Sequence, residues 1–174
     1  MKYLSLLTLL VFFQFSSGQT EKQTGYTTLI DCLRLSFPDK GVAFDNTFNT
    51  FEAEFLKLNK MKDNSGKSYR ALLESIVKNE GTGYKMPSPN ISERIEKLEQ
   101  PNEEILMNCM EGTIDDMPEN VEAVLNFSGS NYSLDSKSYL NKLAKTILDN
   151  FTVEQMGLRF YQMTIMDALE QVPE

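Results

Sequence analysis

Thr152–Val172 reads TVEQMGLRFYQMTIMDALEQV, and this stretch decides the fold. At helical spacing, Met156, Phe160 and Met163 fall on one side. Leu158, Tyr161, Ile165, Leu169 and Val172 fall on the opposite side. Gly157, Thr164 and Ala168 form a narrow strip of small residues between them. A helix that is apolar on two faces must be covered on both, so it belongs at the centre of a helical assembly. Thr152 and Gln155 stand at the spacing of a capping box and mark its start.

The helices that would cover it can be read upstream. Ser133–Asn150 presents Leu140, Leu143, Ala144, Ile147, Leu148 and Phe151 as one stripe, with Lys137, Lys142, Lys145 and Asp149 elsewhere on the wheel. Asp45–Lys62, with Phe44 before it, places Phe44, Phe48, Phe51, Phe55 and Leu58 at steps of four and three. Ser68–Asn79 carries Tyr69, Leu72, Leu73, Ile76 and Val77, with Ser68 as its cap. Thr24–Ser36 carries Tyr26, Leu29, Ile30 and Leu33, and Pro38 stops it because proline cannot continue the hydrogen-bond ladder. A helix from Asn90, a segment Asn102–Gly112 beyond Pro101, and a short helix from Asp116 to Phe127 complete the set. Whether Pro101 kinks one helix or separates two is open. Thr82–Asn90, rich in Gly and Pro, reads as an exposed loop. The expected fold is all-α: a compact bundle of about five to seven helices around a buried C-terminal helix, with one disulfide.

The N-terminus sets the compartment. Lys2, the apolar run Leu4–Phe15 and the small residues Ser16, Ser17 and Gly18 have the layout of a secretory signal peptide spanning residues 1–19. The run is short for a bilayer span, and no later run approaches that length. Residues 20–174 then form one extracellular domain, with no membrane span after signal cleavage. In an oxidising compartment Cys32 and Cys109 are expected to pair. Closing that loop is worth ~4.5 kcal/mol in the chain-entropy account. Asn90, Asn126, Asn131 and Asn150 each begin a glycosylation sequon.

The composition excludes more than it assigns. The formal net charge is -8, which opposes binding to nucleic acid and to anionic membranes. There is no histidine, so the serine, cysteine and most zinc hydrolase mechanisms lose their proton carrier or ligand. Carboxylate pairs exist at Glu103–Glu104, at Asp115–Asp116 with Glu119 and Glu122, and at Asp167 with Glu170. Acids there are favoured by helix starts and flanks alone, so no catalytic residue is assigned. Asp63-Asn64-Ser65-Gly66 fails the calcium-loop spacing and reads as a turn. No metal or other cofactor is expected.

The sequence reading is a secreted, non-enzymatic helical glycoprotein that acts as a protein-binding or signalling module on an extracellular protein or receptor. Tyr84, Arg70 and Arg94 are conceivable contacts. The alternative is an extracellular carrier of a small hydrophobic ligand, lined by Phe48, Phe51, Phe55, Met156, Phe160 and Met163.

Overall fold

The computed structural model describes residues 23–114, 117–130 and 134–172. Among these residues every regular element is a helix: α1 (Gln23–Ser36), α2 (Val42–Leu58), α3 (Gly66–Lys78), α4 (Ile91–Ile95), α5 (Glu103–Ile114), α6 (Glu119–Ser130), α7 (Ser136–Asn150), α8 (Val153–Met156) and α9 (Arg159–Glu170). The nine helices exceed the expected five to seven for two reasons. α4 and α5 are separate on either side of Pro101, and the last helix is divided at Gly157 and Leu158. The signal-peptide stretch 1–19 lies outside the described residues, as do Asp115, Asp116 and Asn131 and the side chains of Tyr26, Leu29, Cys109 and Met110.

The chain forms two compact units. The first takes described residues up to Thr50 together with Ile91–Pro118. Here α1 packs against α5, burying Ile30, Cys32, Leu33 and Leu106. The Phe37 and Phe44 rings stack at 5.5 Å. Asp39 accepts from the backbone N–H groups of Gly41 and Ala43, which starts α2 at Val42, ahead of the expected Asp45. Gly41 lies at φ +82°, and a Cβ there would meet the Arg34 backbone at 2.7 Å, so only glycine fits. Arg34 grips Asp45 with both arms of its fork, at 2.9 and 3.1 Å.

The second unit takes Phe51–Asn90 and Glu119 onward. α3 packs against α7 and α8, α6 against α7, and all of α6, α7 and α8 against α9. α9 is buried continuously from Phe160 to Leu169, as expected of a helix apolar on two faces. The capping box is present, Thr152 and Gln155 exchanging hydrogen bonds, but it starts only the four-residue α8. Gly157 ends α8 with N–H bonds reaching back two and three residues, and Leu158 turns extended. Leu158 is therefore 43% exposed, a correction to its placement on an inward face. Glycine weakens a helix interior by about 1 kcal/mol, which is why the break falls here. One other cap shifts, since Ser65 and not Ser68 caps α3, and Asp135 caps α7.

The 82–90 segment is less exposed than its composition suggests. Pro87 is buried. The Tyr84 hydroxyl donates to the Leu169 carbonyl at 2.7 Å, and its ring sits edge-on to Phe55. Asn59 bonds both the N–H and the C=O of Lys85, at 2.9 and 2.8 Å, fastening this segment to the end of α2.

Candidate functional site

Three places on the molecule carry groups that packing alone does not require. The first is a charged cluster inside the second unit. Glu52, on α2, is buried. It accepts from the Tyr69 hydroxyl of α3 at 2.9 Å and from Arg159 of α9 at 3.2 Å. Asn64 adds a long contact at 3.5 Å and is itself held by Gln162, which donates to its carbonyl at 2.7 Å. Tyr69 is fully buried, and its hydroxyl also approaches the Met166 sulfur at 3.8 Å. Burial, and then the neighbouring Glu52 charge, push the Tyr69 hydroxyl far above its ordinary value. The cluster joins three helices through one compensated carboxylate, the chemistry of a structural pin and not of proton transfer.

One residue beyond Met166 on α9 stands Asp167, 4% exposed. Its Oδ1 has no hydrogen-bond partner. Burial, and then the Glu170 charge, raise its carboxyl to about 7, with Gln171 opposing. The other carboxylate pairs behave as helix-start acids: Glu103 and Glu104 lie in the first turn of α5, and Glu119 and Glu122 in that of α6. Among the described residues no group of three or more acidic or sulfur ligands is placed to hold a metal ion.

The second place is a cleft of about 440 Å³ where α2 gives way to α3, lined by Lys60, Lys62, Lys67 and the hydroxyl side chains of Ser65 and Ser68. Asp63 lies in the same turn. Its Oδ1 accepts from Ser65 Oγ at 2.5 Å and from Ser68 Oγ at 2.6 Å, and these hydroxyls hold the carboxyl down to about 2.

The third place is on the first unit, where Leu35, Val42, Ile105 and Met107 are 59%, 59%, 44% and 37% exposed. Two close contacts gather the segments that carry three of them. Gly41 touches Arg34, so Val42 and Leu35 flank that contact. The Asn102 N–H donates to the Ser36 carbonyl at 2.6 Å, and Asn102 Oδ1 then caps the Ile105 N–H. Leu35 and Ile105 flank that second contact.

The sequence-expected residues distribute as follows. The six apolar lining candidates are all buried: Phe48, Phe51, Phe55, Met156, Phe160 and Met163. Phe48 belongs to the first unit and the other five to the second, and none of the six lines the cleft at α2–α3. Tyr84 is not an exposed contact, since its hydroxyl is spent on Leu169. Arg70 pairs with Glu74 one turn on at 2.8 Å. Arg94 is half-buried on α4. Of the sequons, Asn126 is exposed on α6 and Asn90 is half-buried. The Asn150 amide donates to the Thr146 carbonyl at 2.8 Å, and its following residues are committed, Phe151 to the core and Thr152 to its cap. Cys32 is 1% exposed on α1, which packs against α5, the helix that contains Cys109.

No protein-family profile, curated protein or solved structure matches the chain. The all-helical architecture and the three places above are therefore what bears on function. Among the described residues no helix is long and apolar enough to cross a membrane.

Proposed function

We propose that this chain is a secreted, non-enzymatic helical glycoprotein that binds another extracellular protein through the end of its first unit. The observation that carries the reading is the exposure of Leu35, Val42 and Ile105 on segments that the Gly41–Arg34 and Asn102–Ser36 contacts bring together. Exposed aliphatic residues that adjoin one another are a mark of contact surfaces. The bidentate Arg34–Asp45 pair beside Leu35 supplies the rigid polar border such surfaces carry. A Cys32–Cys109 disulfide would tie α1 to α5 beneath this surface. The burial of Cys32, its not being a free thiol and the α1–α5 packing support that bond. Glycans on exposed sequons such as Asn126 fit the same compartment.

The experiment is saturation binding of labelled mature protein to intact cells of the same organism. Leu35→Asp combined with Ile105→Asp should leave the far-ultraviolet dichroism and melting curve unchanged, because both side chains are exposed. Binding should weaken by about tenfold or more, the loss expected for two apolar anchors. Saturable binding that ignores this pair of changes would remove the surface from the account. Absence of saturable binding, with stoichiometric uptake of an apolar fluorophore by the folded protein, would favour the carrier.

A further inference from the structure

The chain's positive charge is not spread evenly. Lys57, Lys60, Lys62, Lys67 and Arg70 fall within the fourteen residues 57–70, against Asp63 alone, a local balance of 5 − 1 = +4. The remaining residues then hold 17 − 5 = 12 basic against 25 − 1 = 24 acidic side chains, a balance of -12. Three of these lysines, Lys60, Lys62 and Lys67, line the cleft at the α2–α3 turn. None of the three makes an ion pair among the described residues, whereas Arg34, Arg70 and Arg159 all do. Asp63 is the one carboxylate lining the cleft, beside Lys62, and its Oδ1 is occupied by the Ser65 and Ser68 hydroxyls, so three cations face one carboxylate there, a surplus that suits an external anion.

The local backbone fixes where these charges stand. The end of α2 closes with the Met61 N–H on the Leu56 carbonyl and the Lys60 N–H on the Lys57 carbonyl, with Lys60 at φ +53°. That is the helix-ending turn in which glycine is the usual residue, so a lysine there carries a conformational cost. Lys67 stands in the first turn of α3. The helix N-terminus itself is not the binding group, because Ser65 caps it and Asp63 bonds Ser65 and Ser68. The lysine ammoniums are what remain to meet a ligand, with Leu72 as an apolar floor.

We propose that this cleft binds a sulfated polysaccharide chain, the polyanion of the extracellular space. The identity of the anion rests on the secreted reading above, while the site rests only on the charge arrangement. A chain that carries several sulfates can meet the three lysines at once, while the acidic remainder repels polyanions elsewhere. The strong repulsion outside the cleft also disfavours the long contiguous footprint that duplex nucleic acid requires.

The test is fluorescence anisotropy of a labelled heparin octasaccharide with the full mature protein at a series of salt concentrations. Lys60→Gln, Lys62→Gln and Lys67→Gln together should weaken binding by about tenfold or more at low salt and flatten the slope of log affinity on log salt by about 2, the share of three released counterions. The triple Arg variant at the same positions should retain binding. Lys137→Gln, Lys142→Gln and Lys145→Gln, which remove the same charge from the exposed face of α7, should leave it nearly intact. Equal losses from both Gln triples would show general electrostatics and overturn the cleft. Equal affinity for inorganic polyphosphate, or for a desulfated chain, would overturn the sulfated ligand. These readouts do not depend on export, so a retained, uncleaved chain that still binds through the cleft would contradict the secreted reading and leave the site standing.

Discussion

Asp167→Asn is expected to flatten the pH dependence of stability and to make the protein more stable than the wild type at neutral pH. Asp167 lies in the last turns of α9, 4% exposed, with an unpartnered Oδ1. Burial first, and Glu170 second, raise its folded-state carboxyl from 3.8 to about 7. In the unfolded chain it ionises near its ordinary value. Between the two values the native state therefore holds a proton that the unfolded state has released. By linkage, stability falls as pH rises from about 4 to about 7 and then levels. The full span corresponds to a loss on the order of 4 kcal/mol. The position adds to this effect, because a carboxylate near a helix C-terminus faces the negative end of the helix dipole. Asparagine keeps the shape and cannot ionise. Urea titrations at pH 4, 5, 6, 7 and 8 on both proteins measure the difference, which should be small at pH 4 and largest at pH 7 and above. Parallel curves for the two proteins would mean that Asp167 finds a compensating partner.

Gly66→Ala is expected to destabilise by about 3 kcal/mol or more, the range of a clash that only backbone movement can relieve. Gly66 is the first residue of α3, and it is buried. A Cβ there would stand 1.7 Å from the Val153 carbonyl oxygen and 2.8 Å from the Gly157 nitrogen. Both are backbone atoms of the α8 turn, so no side chain can swing aside. Helix propensity alone predicts the opposite sign, a gain of about 1 kcal/mol for alanine. The substitution therefore separates the long-range contact from the local preference. Gly83→Ala is the comparison: its Cβ would meet nothing nearer than 3.7 Å, and only the left-handed backbone at φ +86° opposes it. That should lose about 1 kcal/mol. Denaturant midpoints for the two variants decide the matter. Similar small losses would show that α3 and α8 do not press together at Gly66.

These two positions also show where sequence reading stops. The Phe44–Phe55 seam and the apolar residues of Tyr161–Leu169 are legible because burial follows helical period, and each of those aromatic and aliphatic residues is buried, whereas Leu58, the last member of the seam, ends α2 42% exposed. Asp63-Asn64-Ser65-Gly66 was legible as a turn. The reason for glycine at its end was not, since the obstructing atoms lie about ninety residues away at Val153 and Gly157. The break before α9 is hidden for the same reason: Gly157 falls on a small-residue strip in sequence, whereas its close neighbour across the fold is Gly66 at the start of α3. Asp167 looked like a helix-flank acid because a wheel shows periodicity and not depth; only three-dimensional packing puts a carboxylate inside. Tyr84, in a stretch of Gly and Pro, gave no local sign that its hydroxyl reaches Leu169. The cationic cleft could have been found from sequence: five basic residues in 57–70 stand out once charge is summed by window. The exposed apolar group on the first unit could not, because Leu35, Val42 and Ile105 come from three separate segments.

The central claim is that this chain leaves the cell as a processed, disulfide-closed, glycosylated helical protein. Intact mass of the product in the medium of expressing cells, before and after enzymatic deglycosylation and reduction, tests it most directly. The account predicts a chain that has lost residues up to about Gly18 or Gln19, sheds glycan from at least two sequons, and is lighter by two hydrogens before reduction than after. A product that keeps Met1–Gln19, stays with the cells and shows two free thiols would contradict it.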